Sequence, residues 1–157
     1  MLSLNVFRRL ALVLFIILVS SCSQDKDKAL IEAVGNGDIG EVKALLAKGV
    51  DVNGSTKKKK PVHYAAANYE LLQVLIKSGM ELNDVSPFYG TILTRHARVE
   101  DTRILELLLK SGADANGQRP SSQATALIEV SSKDRPESIS ILLKHGADIN
   151  LKFDTSL

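Results

Sequence analysis

One phrase recurs four times along the chain, and it constrains the fold more than any other feature. It reads Leu45-Leu46-Ala47-Lys48-Gly49-Val50-Asp51-Val52-Asn53, then Leu75-Ile76-Lys77-Ser78-Gly79-Met80-Glu81-Leu82-Asn83. It returns as Leu108-Leu109-Lys110-Ser111-Gly112-Ala113-Asp114-Ala115-Asn116 and as Leu142-Leu143-Lys144-His145-Gly146-Ala147-Asp148-Ile149-Asn150. The intervals between the glycines are 30, 33 and 34 residues. Self-similarity at that period predicts an all-α solenoid of stacked helical units. No single unit can bury its apolar face, so stability has to come from the stacking.

Residues 29–150 divide into four units, each with two short helical stretches before the Gly-x-(Asp/Glu)-x-Asn phrase. The second stretches carry apolar residues at spacings of three and four. Examples are Val42, Leu45 and Leu46 in the first unit and Ile104, Leu105, Leu108 and Leu109 in the third. That spacing gives a helix with one broad apolar face. The glycine that follows suits a helix end at positive φ, where a Cβ would be penalised. The first stretches open as Lys60-Pro61-Val62-His63-Tyr64-Ala65-Ala66, Thr91-Ile92-Leu93-Thr94-Arg95-His96-Ala97 and Thr125-Ala126-Leu127-Ile128-Glu129-Val130-Ser131.

These openings, taken with the four glycine phrases, resemble the ankyrin repeat family over essentially all of 29–150. The resemblance implies β-turn fingers followed by pairs of antiparallel helices, stacked side by side. In that family the threonine and histidine of the opening motif pin one unit to the next. Partners are held by finger tips and by exposed positions of the first helices. Carried onto this chain, the partner-facing residues are Lys57, Lys58, Lys59 and Lys60 on the first finger and Phe88 and Tyr89 on the second. Tyr64, Asn68, Arg95, Arg98, Glu129 and Lys133 on the first helices complete the set. The lysine run is either a solvated loop or a basic knob that meets an acidic patch. Phe88 and Tyr89 are two of only 7 aromatic residues, so their adjacency in a turn marks either an interface anchor or packing between fingers.

Departures from the pattern locate irregular units. Only the second unit keeps the motif histidine, His63; Thr94 and Ile128 replace it later, and His96 stands where a small residue is usual. The second unit is also two residues short between its helices. After Asn150, Thr155-Ser156-Leu157 resembles the start of a fifth unit. With so little chain to cover them, Leu142 and Leu143 are expected to be thinly shielded and the last unit the least stable.

The first 21 residues differ in kind. Arg8 and Arg9 precede an unbroken apolar run from Leu10 to Val19, and no acidic residue occurs before Asp25. Ten helical residues rise about 15 Å against a hydrocarbon core of roughly 30 Å, too short for a stable span. Such a segment reads as a secretory signal peptide over 1–21. Leu18-Val19-Ser20-Ser21-Cys22 resembles the bacterial lipoprotein signal, which implies lipidation of Cys22. The alternative is an ordinary signal or anchor with an incidental cysteine. A lone thiol makes no intramolecular disulfide. Residues 22–28 read as a polar tether before a repeat domain over 29–157. By the enterobacterial sorting rule, Ser23 after the lipid cysteine places the protein on the periplasmic face of the outer membrane rather than the inner membrane.

Charge and motif content narrow the function. The chain has 20 basic and 18 acidic residues, and removal of Arg8 and Arg9 leaves 18 against 18. The basic balance is thus a property of the leader and no argument for nucleic-acid binding. No His-x-x-x-His, cysteine pair, nucleophile elbow or phosphate loop is present, so neither metal nor cofactor is expected and an enzyme is disfavoured. The expected function is non-catalytic protein–protein binding by a monomer, lipid-anchored in the bacterial cell envelope. The alternatives are an immunity or inhibitor protein that blocks a periplasmic toxin or enzyme, and a chaperone-like helper.

Overall fold

The computed structural model describes residues 25–54, 60–65 and 67–151. The expected leader, Cys22, the finger lysines 57–59 and the tail 152–157 lie outside them. Among the described residues seven helices follow in chain order: α1 (25–36), α2 (Ile39–Ala47), α3 (Tyr69–Lys77), α4 (Ile92–His96), α5 (Thr102–Lys110), α6 (Ala126–Ser131) and α7 (Pro136–Lys144). A single 3-10 turn, Pro61–His63, precedes α3. Among the described residues the sole β pairing is an isolated antiparallel bridge between Ser86 and Gly90.

The helices form two layers. The second helices α2, α3, α5 and α7 are each 9 residues long and stack in sequence, α2 on α3, α3 on α5 and α5 on α7. The shorter first helices α4 and α6 pack on each other and on their own partners α5 and α7. Leu71, Leu72, Leu75, Leu93, Ile104, Leu108 and Leu142 are fully buried between the layers. This is the apolar face read from the three-and-four spacing.

Local chemistry sets where each helix starts and stops. Asp38, Asn68, Thr91, Asp101 and Thr125 accept a hydrogen bond from the first helical turn that follows. Such a cap satisfies one of the orphan N–H groups at a helix start. At the other end Gly49, Gly79, Gly112 and Gly146 take φ of +77°, +84°, +96° and +87°. The next residue in each case donates its N–H back to a helix carbonyl: Val50 to Leu45, Met80 to Leu75, Ala113 to Leu108 and Ala147 to Leu142. All four of those donors are buried, so each helix stop also plants an apolar anchor.

The Asn that ends each phrase ties units together. Asn53 Nδ2 donates to Gly79 O (2.9 Å) while its Oδ1 accepts from Glu81 N (2.8 Å). Asn83 makes the same pair of bonds to Gly112 O (3.1 Å) and Asp114 N (2.8 Å). Asn116 repeats them at Gly146 O (3.0 Å) and Asp148 N (2.7 Å). Each clip therefore reaches the glycine phrase of the next unit, and the conserved spacing within this chain is the spacing of the clips.

Three expectations need adjustment. The first stretch of the second unit is a 3-10 turn rather than an α-helix. From its cap at Lys60 to the α3 cap at Asn68 is two residues less than from Thr91 to Asp101 or from Thr125 to Arg135. That deficit leaves no room for successive four-residue hydrogen bonds. Residues 25–28, read as tether, are already helical as the first turn of α1. Leu142 is fully covered, because α7 packs on both α5 and α6, whereas Leu143 is 43% and Ile149 74% exposed.

Candidate interaction surface

The second finger, 84–91, is held in one shape by its own backbone. Ser86 N donates to Gly90 O (2.9 Å) and Gly90 N to Ser86 O (3.0 Å). Inside that loop Ser86 Oγ accepts from Phe88 N (3.4 Å) and Tyr89 N (3.3 Å). Gly90 has φ +74°, and a Cβ there would sit 2.6 Å from Thr94 Oγ1 and 3.0 Å from Arg119 Cβ. The finger thus tucks against the start of α4 and against the third finger. Only a glycine fits this approach.

This bracing presents Phe88 with 80% of its surface exposed and Tyr89 with 48%. The Tyr89 ring meets Tyr64 edge-on, with centroids 6.5 Å apart and planes at 74°. The Arg95 guanidinium from α4 lies 5.4 Å from the centroid of the same ring and donates to the carbonyl of His63. Edge-to-face rings and a cation over a ring face are both attractive geometries. Tyr64, Tyr89 and Arg95, separated by up to 31 residues in sequence, therefore form one cluster, with exposed Phe88 beside Tyr89 in the chain. Tyr89 packs on Tyr64 at the end of the 3-10 turn and on Arg95 of α4 rather than on a neighbouring finger, while Phe88 stays exposed.

Other residues expected on the partner-facing surface have internal work. Lys60 Nζ lies 3.2 Å from Glu81 Oε2 and 3.3 Å from Asp84 Oδ2. The hydrogen bond to Glu81 raises its pKa above the ordinary lysine value. His63 Nε2 is 3.0 Å from the same Asp84 oxygen. Burial nonetheless lowers the His63 pKa, with Asp84 opposing that shift and Lys60 and Arg95 adding to it. Lys60 thus ties the end of the first finger to Glu81 and to Asp84 of the second, and His63 of the 3-10 turn faces the same Asp84 oxygen. Asn68 is the α3 cap, with its side chain accepting from Leu71 N (3.0 Å).

Glu129 is buried on α6 between two arginines. Arg98 grips it through Nε (2.7 Å) and Nη2 (2.9 Å), and Arg119 reaches it through Nη2 at 3.1 Å. The bond to Glu129 raises the Arg98 pKa. Arg135 in turn donates to Arg98 O (2.7 Å). Glu129 therefore joins the third unit, the third finger and the fourth unit. Lys133, just beyond α6, is exposed.

Arg119 and Asp84 were not singled out by the sequence pattern, and each completes an inter-unit charge cluster. A signal for one cluster was present. Glu81 stands where the other three phrases have Asp. Asp51, Asp114 and Asp148 accept from the N–H two residues on, a local turn bond that the longer Glu81 forgoes to pair with Lys60. His96 is 2% exposed, and its Nδ1 lies 2.9 Å from Ile92 O. Among the described residues no group of three or more His, Cys, Asp or Glu is placed to hold a metal ion.

A family model for ankyrin repeats in three copies matches residues 4–86 and 67–153. The chain is 31% identical to mouse "Ankyrin repeat and SOCS box protein 6" over 98 residues, 60% of this chain and 23% of that protein. The human protein of the same name is 32% identical over 91 residues, 55% of this chain and 21% of its own length. "Ankyrin repeat and KH domain-containing protein mask-1" of Caenorhabditis elegans is 29% identical over 132 residues, 82% of this chain and 5% of its own. The chain thus spans about a quarter or less of the length of these relatives. Stacked helix pairs, braced fingers, a repeated inter-unit clip and the family match lead to one statement: the chain belongs to the ankyrin repeat family, and its repeats form a protein–protein interaction module.

Proposed function

We propose that the protein is a non-catalytic binding module that seats a protein partner on the Tyr64–Phe88–Tyr89–Arg95 surface while a lipid on Cys22 holds it in the bacterial cell envelope. The observation that carries the binding face is Phe88, 80% exposed on a finger whose backbone is fixed by four hydrogen bonds. A rigid exposed aromatic loses little conformational freedom on binding and is a frequent anchor of interfaces. The positive start, the short apolar run and Leu18-Val19-Ser20-Ser21-Cys22 support the anchor. Acyl chains contribute about 0.8 kcal/mol per buried methylene, so two or more hold firmly. Ser23 after the lipid cysteine favours the outer membrane, facing the periplasm.

Two measurements test this. A photo-crosslinking amino acid at position 88 should yield one discrete crosslinked protein from envelope preparations, and the same group at exposed Lys77, on a second helix, should not. Equal yields at both positions would refute the face. Cys22→Ala should release the protein from the membrane fraction, and retention there would refute the lipid anchor.

A further inference from the structure

The surface carries an unbalanced charge. Arg98, Arg103 and Arg119 each hold a carboxylate. Neither Arg95 nor Arg135 holds one among the described residues; both are half-buried and donate to a backbone carbonyl, but only the Arg95 guanidinium also lies over an aromatic ring, that of half-exposed Tyr89. In the neighbouring cluster, Asp84 is already shared by Lys60 and His63. A guanidinium drawn partly out of water without a counter-charge is poised to take a planar anion through its remaining donors. Next in the chain to Tyr89, whose ring the guanidinium covers, stands Phe88, 80% exposed.

We infer that the partner presents a carboxylate side chain next to an apolar one, so that the acid pairs with Arg95 while the apolar group covers Phe88. This rests on the reading of the surface as the binding face and specifies what it accepts. The occupant is a protein segment, because the repeats form a protein–protein interaction module, and charge complementarity with Arg95 selects an acidic one. Tyr89 has two roles in this arrangement. Its face holds Arg95 in place, and its edge-on contact with Tyr64 fixes the ring. Such a contact is specific for the acid, because removing the carboxylate leaves the guanidinium as uncompensated as before.

The test uses the chain from residue 23 onward, immobilised, and a displayed library of random 12-residue peptides. Enriched peptides should carry Asp or Glu within four residues of Leu, Phe or Trp. Amide replacement of that acid, Arg95→Gln and Phe88→Ala should each weaken a selected peptide at least about tenfold. Arg95→Lys should recover part of the loss, because it restores charge without the planar fork. Circular dichroism of each variant confirms that the fold is retained, and Phe88, 80% exposed, has little side-chain packing to lose. Enriched peptides that bind Arg95→Gln and wild type alike would overturn the inference while leaving the binding module intact. Enriched peptides that also ignore Phe88→Ala, or no enrichment at all, would overturn the face itself.

Discussion

Asn83→Ala removes the middle clip of the stack, and the structure sets the size of the effect. Two bonds are lost, Asn83 Nδ2 to Gly112 O and Asp114 N to Asn83 Oδ1. A neutral hydrogen bond contributes about 0.5–1.5 kcal/mol net. Both bonds lie near solvent, so water can take up the freed Gly112 carbonyl and Asp114 amide, and the loss falls at about 1–2 kcal/mol. For a domain of this size that lowers Tm by roughly 3–8 °C. Position adds a second signature. A solenoid is coupled only through nearest neighbours, so weakening the central interface separates the two halves. Urea unfolding followed by far-ultraviolet circular dichroism should show a reduced m-value or a second transition as well as a lower midpoint. Asn150 is the control: among the described residues its side chain clips nothing, although its backbone N–H reaches Asp148 Oδ1. Asn150→Ala should stay within about 0.5 kcal/mol of wild type. Asn83→Asp keeps the acceptor for Asp114 N but sets a carboxylate against the Gly112 carbonyl, and should be no more stable than Asn83→Ala. An Asn83→Ala variant that melts like wild type, or an Asn150→Ala loss of equal size, would refute the clip as the source of coupling.

Glu129→Gln keeps the shape but strips the charge that holds Arg98 and Arg119 together. It should cost about 2–3 kcal/mol by thermal melting, since Arg119 is left mostly buried without a counter-charge, and a loss below about 1 kcal/mol would contradict this. Gly79→Ala and Gly90→Ala both force a Cβ onto a positive φ, +84° and +74°, but only Gly90 also meets neighbouring atoms. Gly79→Ala should cost about 1–2 kcal/mol from the backbone alone and Gly90→Ala about 1–3 kcal/mol more from crowding; equal losses would show that the finger moves away freely. His63 has its folded pKa lowered by burial from an unfolded value of 6.5. Over pH 6.5 and just below, the unfolded chain binds more protons, so this contribution is full above 6.5 and is lost as pH falls toward the folded value. Tm should therefore drop between pH 7.5 and 5.5, and His63→Gln should flatten that slope; an unchanged slope would place the effect elsewhere.

The parts of the fold legible in the sequence are those written in short range. Gly49, Gly79, Gly112 and Gly146 mark helix ends because the stop is made within six residues, by one positive φ and one returning N–H. Asp38, Thr91, Asp101 and Thr125 mark helix starts in the same way. Asn68 shows where the pattern misleads. By position it belongs to the exposed first stretch, but shortening of the second unit brings it to the start of α3, where its side chain caps the helix.

By itself the sequence determined the repeat architecture, the number of units and the shortened second one, since each is encoded in turns and apolar spacings complete within a unit. Stacking alone decided which exposed-looking charges are spent inside the molecule. Lys60 meets Glu81 across 21 residues, Arg98 meets Glu129 across 31, and Arg95 is left facing a ring and a carbonyl. Such partners are chosen by the offset between neighbouring units, and no local hydrogen bond or helical period specifies that offset. The same offset sets Tyr89 against Tyr64 while leaving Phe88 bare, so the shape of the proposed binding face is a tertiary property built on a locally written scaffold.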